Sequence, residues 1–99
     1  MKKLVHYNEL FDVYKKLLKE DELEIFTDYY EEDFSMQEIA DNIHLSKSAI
    51  GKKIKTIESK LDFYEQALEI VKKNKMLEDV LEEKEIKKIK EKISIILEK

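Results

Sequence analysis

A chain of 99 residues with no cysteine, no proline, one glycine and 42% charged residues has room for one domain with a real core. It lacks the punctuation of strands and tight turns, and it excludes a disulfide framework, a thiolate metal site and a cysteine nucleophile. The net charge of −4 is uneven: residues 1–45 hold 5 lysines against 12 acids, residues 46–60 hold 5 lysines against Glu58 alone, and residues 61–99 hold 9 lysines against 10 acids.

The expectation is an all-α fold. Leu4, Tyr7, Phe11, Tyr14 and Leu18 step by three and four, the stripe of an amphipathic helix over about 5–18. Lys19-Glu20-Asp21-Glu22 places acids at the positive end of a second helix, which Leu23, Phe26 and Tyr29 or Tyr30 carry to about residue 32. Ser35-Met36-Gln37-Glu38 reads as a capping box, so a third helix starts there and its apolar positions Met36, Ile39, Ala40 and Ile43 stop at His44. Ser46 offers another N-cap at once. Two capped helices separated by so short a turn are the signature of a helix-turn-helix, with Ala40 at the close crossing and Ile39, Ile43, Leu45, Ile50 and Ile54 inside it. His44 stands where such a turn needs a left-handed residue, and histidine is among the side chains enriched in that conformation.

From Ile50 the series Ile54, Ile57, Leu61, Tyr64, Leu68 and Val71 keeps a four-three alternation, predicting a long fourth helix over about 46–73. The register breaks near Asn74. Leu77, Val80, Leu81, Ile86, Ile89, Ile93 and Ile96 then predict a C-terminal helix over about 76–98, with a possible interruption at Glu82-Glu83. The organisation expected is a single domain, 1–99, with a helix-turn-helix core over 5–61 and a helical extension over 62–99. The aromatics Phe11, Tyr14, Phe26 and Phe34 should share a core with Ile39 and Ile50. The stripes from Ile57 to Val71 and from Ile86 to Ile96 outrun what a helix-turn-helix needs, which points to self-association as a homodimer.

What binds a polyanion is the local field, and the basic stretch coincides with the start of the fourth helix. At about 100° per residue Ile50, Ile54, Ile57 and Leu61 fall on one side and Ser48, Lys52, Lys55, Thr56 and Ser59 on the other, flanked by Lys47, Lys53 and Lys60. A buried stripe opposite lysines and small hydroxyls, behind a helix N-terminus capped by Ser46, is the arrangement of a recognition helix. The nucleic-acid-binding set is therefore Ser46, Lys47, Ser48, Lys52, Lys53, Lys55, Thr56 and Lys60. All 19 basic residues are lysines, so the bidentate fork that reads guanine is absent and contacts should fall mainly on phosphate. Gly51 disfavours the helix by about 1 kcal/mol relative to alanine, which fits either a close approach of a partner to the helix backbone or relaxed selection at that position. His6 and His44 converge with no nucleophile or ligand motif, so no enzyme activity, metal or cofactor is expected. Tyr29 and Tyr30 could stack on bases, but their place beside Phe26 and Phe34 assigns them to the core.

Several blocks carry a resemblance: Leu10-Phe11-Asp12-Val13-Tyr14, Tyr29-Tyr30-Glu31-Glu32-Asp33-Phe34-Ser35, Glu38-Ile39-Ala40, Ser46-Lys47-Ser48-Ala49-Ile50 and Ile54-Lys55-Thr56-Ile57-Glu58. Together they resemble the YlxM family of helix-turn-helix DNA-binding proteins, over roughly residues 5–70. The resemblance implies a three-helical core, winged-helix-like or similar to the promoter-reading region 4 of bacterial sigma factors. It also implies a regulatory or accessory role in the cytoplasmic signal recognition particle pathway, whose genes typically neighbour those of the family. DNA or the particle's RNA would be the partner, with the particle's protein as a further one and no membrane contact. The alternative is a protein-interaction module that binds components of the particle while its DNA binding is vestigial. The chain departs from the family at Lys47, where arginine is usual, at Gly51, where an aromatic is usual, and at Lys52 and Lys53, where acids or amides are usual.

Overall fold

The computed structural model describes residues 2–98, with side chains from Leu4 onward. It contains six α-helices and, among the described residues, no strand, so the core carries no β wing. Helix α1 (Lys2–Tyr14) ends in a 3-10 turn (Lys15–Leu17), and α2 (Glu20–Phe26) runs on into a π-helical segment (Thr27–Glu31). Then come α3 (Met36–Ile43), α4 (Lys47–Leu68), α5 (Ile70–Leu81) and α6 (Ile86–Leu97).

Helix α4 is the spine. Its stripe Ile50, Ile54, Ile57 and Leu61 meets Leu10, Phe11 and Tyr14 of α1, Ile25 and Phe26 of α2, and Ile39 and Ala40 of α3 in one buried cluster. Each large apolar side chain so enclosed is worth about 1.5–3 kcal/mol relative to exposure, which places nearly all of the hydrophobic stabilisation between residues 10 and 61. Phe11 and Phe26 pack at 5.2 Å between ring centroids. Phe34, expected inside, is only half-buried against this cluster, and Leu45, expected among the internal contacts, is 41% exposed at the turn. Polar ties hold α1 to α4 on the outside: Tyr7 donates to Asp62 Oδ2 at 2.6 Å, and His6 Nε2 lies 3.0 Å from Asp62 Oδ1. The Asp62 bond, with partial burial, pushes the Tyr7 hydroxyl up to about 12.

The heptad reading carried the fourth helix to residue 73, but the helix stops at Leu68 and Glu69 turns left-handed (φ 53°, ψ 33°). The cause is a hydrogen-bonded corner. The buried Tyr14 hydroxyl donates to Glu65 Oε1 at 2.5 Å and accepts from the Ile70 amide at 3.1 Å. The Glu65 carboxylate takes the amides of Val71 and Lys72, both at 3.0 Å. Three amides at the start of α5 thus find side-chain oxygens, as helix N-termini require, and the buried tyrosine hydroxyl is satisfied in the same place. The C-terminal helix expected from 76 begins earlier, at Ile70, and is interrupted at Glu82 to Glu85, next to the expected Glu82-Glu83, so that α5 and α6 form a hairpin closed on Val80 and Ile96. Lys92 bridges Asp79 at 2.8 Å and Glu83 at 3.1 Å across the hairpin, and Lys75 ties α5 to Glu9 of α1 at 2.7 Å. The molecule is long, 57 × 22 × 19 Å.

Candidate nucleic-acid interface

The motif is built at both ends by caps. Ser35 Oγ accepts the Glu38 amide at 3.1 Å while the Glu38 carboxylate accepts the Ser35 amide at 2.9 Å, which is the reciprocal box the spacing predicts. Helix α3 ends at His44 in the left-handed region (φ 59°, ψ 42°), and the Leu45 amide closes back on the Ala40 carbonyl at 3.0 Å. Chain direction therefore changes within three residues. Ser46 Oγ then accepts the Ala49 amide at 3.0 Å and starts α4, so this hydroxyl is engaged as a cap.

Around α4 the other seven expected residues separate into two groups. Lys47, Ser48, Lys52, Lys55 and Thr56 are exposed, and no ion pair among the described residues reaches the three lysines. The Thr56 hydroxyl donates back to the Lys52 carbonyl at 3.0 Å, a helix-internal bond. Lys53 and Lys60, by contrast, turn toward α2. Lys60 Nζ bonds Glu22 Oε2 at 2.5 Å, and Lys53 Nζ lies 3.6 Å from Asp21. Burial alone would raise the Glu22 carboxyl, but the Lys60 ammonium and the Lys19 amide outweigh it and hold the group below the usual carboxylate range. The same bond raises the Lys60 ammonium. The acids of the second helix thus neutralise one flank of α4 and confine its free positive charge to the outer arc and the opposite flank.

On that opposite flank a groove of about 540 Å³ runs between α4 and the π segment with α3, with Tyr29, Met36, Gly51, Lys47, Lys52 and Lys55 along it. The π segment re-aims its tyrosines: Tyr30 reaches the buried Glu58 of α4 at 2.6 Å, with burial and this bond driving its hydroxyl far above the ordinary range. Tyr29 meets Tyr30 edge-on at 5.0 Å and stays half-exposed at the groove. Both tyrosines pack, half-buried, against the core as expected, and Tyr29 in addition lines the groove. Periodicity alone could not show which of them meets Glu58, because a π turn adds a residue to the helical count. Phe63, not singled out by the stripe, is 65% exposed on α4, eleven residues beyond Lys52 and on the same side.

An all-helical fold organised on a capped α3–turn–α4 pair, with lysines on the second helix of the pair, defines a helix-turn-helix protein. A family model described as "Putative helix-turn-helix protein, YlxM / p13 like" matches residues 1–98, and the chain belongs to this UPF0122 family. It is 35% identical to the UPF0122 protein BH2485 of Halalkalibacterium halodurans over 81 residues, covering 82% of this chain and 74% of the relative. It is 37% identical to the UPF0122 protein YlxM of Bacillus subtilis over 73 residues, 74% of this chain and 66% of that protein. A UPF0122 protein of Mycoplasma capricolum is 33% identical over 92 residues, 93% of this chain and 81% of its own length. No described helix is long and apolar enough to cross a membrane.

Proposed function

We propose that this chain binds nucleic acid through the outer arc of α4, with Lys47, Lys52 and Lys55 on phosphates and Ser48 and Thr56 near base edges, and that it takes no part in catalysis. The observation that carries the reading is the division of charge around α4: acids of α2 occupy Lys53 and Lys60, while the lysines of the outer arc have no acidic partner among the described residues. Ser46 serves as the cap that aims the helix N-terminus outward, and Lys53 and Lys60 position α4 on α2. The family resemblance supports an accessory role in the signal recognition particle pathway, with DNA or the particle's RNA as the partner. Two copies joined through the α5–α6 hairpin would double contacts that are individually weak without arginine.

Electrophoretic mobility shift with a DNA duplex and with a structured RNA, repeated over a salt series, tests this. Three phosphate contacts should give a log–log salt slope near −3 on duplex DNA, since each contributes about 0.9. Lys52→Glu with Lys55→Glu should lower affinity at least tenfold at low salt and flatten the slope by about two, with unchanged helicity. Unchanged affinity in that double variant would move the interface off α4. Salt-independent binding to the protein component of the particle would instead favour the protein-interaction module.

A further inference from the structure

Gly51 is the only glycine of the chain, and nothing inside the molecule calls for it. It lies in the middle of α4, its φ is not positive, and a Cβ built on it would meet only Met36 Sδ at 3.8 Å, an ordinary contact. No turn and no close helix crossing forbids a side chain there, although a helix interior disfavours glycine against alanine. What fits the missing side chain is a group from outside that comes up to the backbone of α4.

The surroundings state its chemistry. One wall of the groove is apolar and polarisable, the Tyr29 ring and the Met36 thioether. The rim carries Lys47, Lys52 and Lys55, none with an ion pair among the described residues. The acid at the buried end, Glu58, accepts the Tyr30 hydroxyl at 2.6 Å. A ring-shaped apolar group bearing phosphate suits these features: the ring lies against Tyr29 and Met36, and the phosphates meet the lysines. The groove shares its rim lysines with the surface that would meet a duplex, but its floor at Gly51 lies to the side of that surface. Gly51 is one residue, about 100°, round the helix from the buried Ile50, whereas Lys52 and Ser59 point almost directly away from the core. A base stacked within a continuous duplex on the outer arc does not reach it; a base that has left its stack does.

We propose that the Gly51 groove holds one unpaired nucleobase, so that this chain prefers nucleic acid in which a bulged or single-stranded nucleotide adjoins a helix. The proposal rests on nucleic-acid binding by α4 and adds the class of target. The recognition is by stacking and phosphate contact, which tolerates any base.

Fluorescence anisotropy with three labelled hairpins of one sequence, each made as RNA and as DNA, tests it. One carries a single bulged nucleotide, one the same bulge without its base, and one is fully paired. The bulged hairpin should bind about tenfold more tightly than the other two, the scale of one stacked base. Gly51→Leu fills the groove and should abolish that preference, so that the bulged and paired hairpins bind alike, and Gly51→Ala should reduce it partially. Leucine and alanine are better helix formers than glycine, so both variants should melt no lower than the unaltered chain by circular dichroism. Equal binding to all three hairpins, or a preference that survives Gly51→Leu, overturns the groove and leaves the α4 interface standing. Failure to bind any hairpin overturns both.

Discussion

At position 44 a side chain occupies backbone space that normally belongs to glycine, at a cost of about 1–2 kcal/mol for an L-residue. His44 is held there because α3 must end and α4 begin within three residues, and no side-chain partner compensates it among the described contacts. His44→Gly should therefore leave stability unchanged or raise it by up to about 1 kcal/mol. His44→Val, branched at Cβ, should lower it by more than that. Urea denaturation at constant slope checks both, and a large loss in the glycine variant would show that the imidazole makes a contact of its own. This turn was legible in the sequence because a histidine between an apolar run and a serine cap has few other jobs, and the Ser35–Glu38 box was legible for the same local reason. The fates of Lys53 and Lys60 were not: their partners Asp21 and Glu22 lie in another helix, and no spacing rule spans that separation.

The joint between α4 and α5 shows where periodicity stops being informative. Tyr64, Leu68 and Val71 continue the heptad without a flaw, yet the backbone breaks at Glu69, because a buried tyrosine hydroxyl from α1 and a carboxylate on α4 satisfy the first amides of a new helix. A hydrophobic pattern records which faces are apolar and carries no trace of a polar atom arriving from elsewhere in the chain. Burial would raise the Glu65 carboxyl, but the Tyr14 hydroxyl and the Val71 and Lys72 amides together hold it below the ordinary range, as Lys60 and Lys19 do for Glu22. A depressed carboxyl contributes stability that is complete above its unfolded value, near 4.3, and is lost as pH falls through the folded value. Glu65→Gln should cost roughly 1–3 kcal/mol at pH 7. The gap to the unaltered chain should close below about pH 4. Thermal melts at pH 7, 5 and 3.5 measure it; a gap that stays constant through the acid range would mean that the carboxylate charge does no stabilising in the folded chain.

Across the whole molecule the core stops at Leu61, and the α5–α6 hairpin beyond it has little of its own to bury. Ile86, Ile93 and Leu97 share one face of α6 at 71%, 38% and 79% exposure, and Leu81 at the tip of α5 is 85% exposed. Val80 and Ile96 are the only buried side chains of the hairpin among the described residues, with Met76 and Ile89 half-buried, and a second copy covering the exposed residues would add to this small apolar area. Sedimentation at micromolar concentration should accordingly give twice the 11.9 kDa of one chain. Ile93→Glu with Leu97→Glu should return it to a monomer that still folds from α1 to α4. A concentration-independent monomer before any substitution would reject the pair. The part of the heptad stripe expected to join two copies is mostly spent inside the chain, Ile57 and Leu61 in the core and Tyr64 against Tyr14, so a surface joining two copies would lie farther out than the pattern indicates. That distance makes the bend at Glu69 a lever. A 12-residue arm is roughly 18 Å long, so turning the joint by about 10° swings its tip by roughly 3 Å. Were two copies held tip to tip, the angle kept by one tyrosine hydroxyl and one carboxylate would set how far apart the two α4 helices stand, and with it the phase at which they would meet successive turns of a nucleic acid.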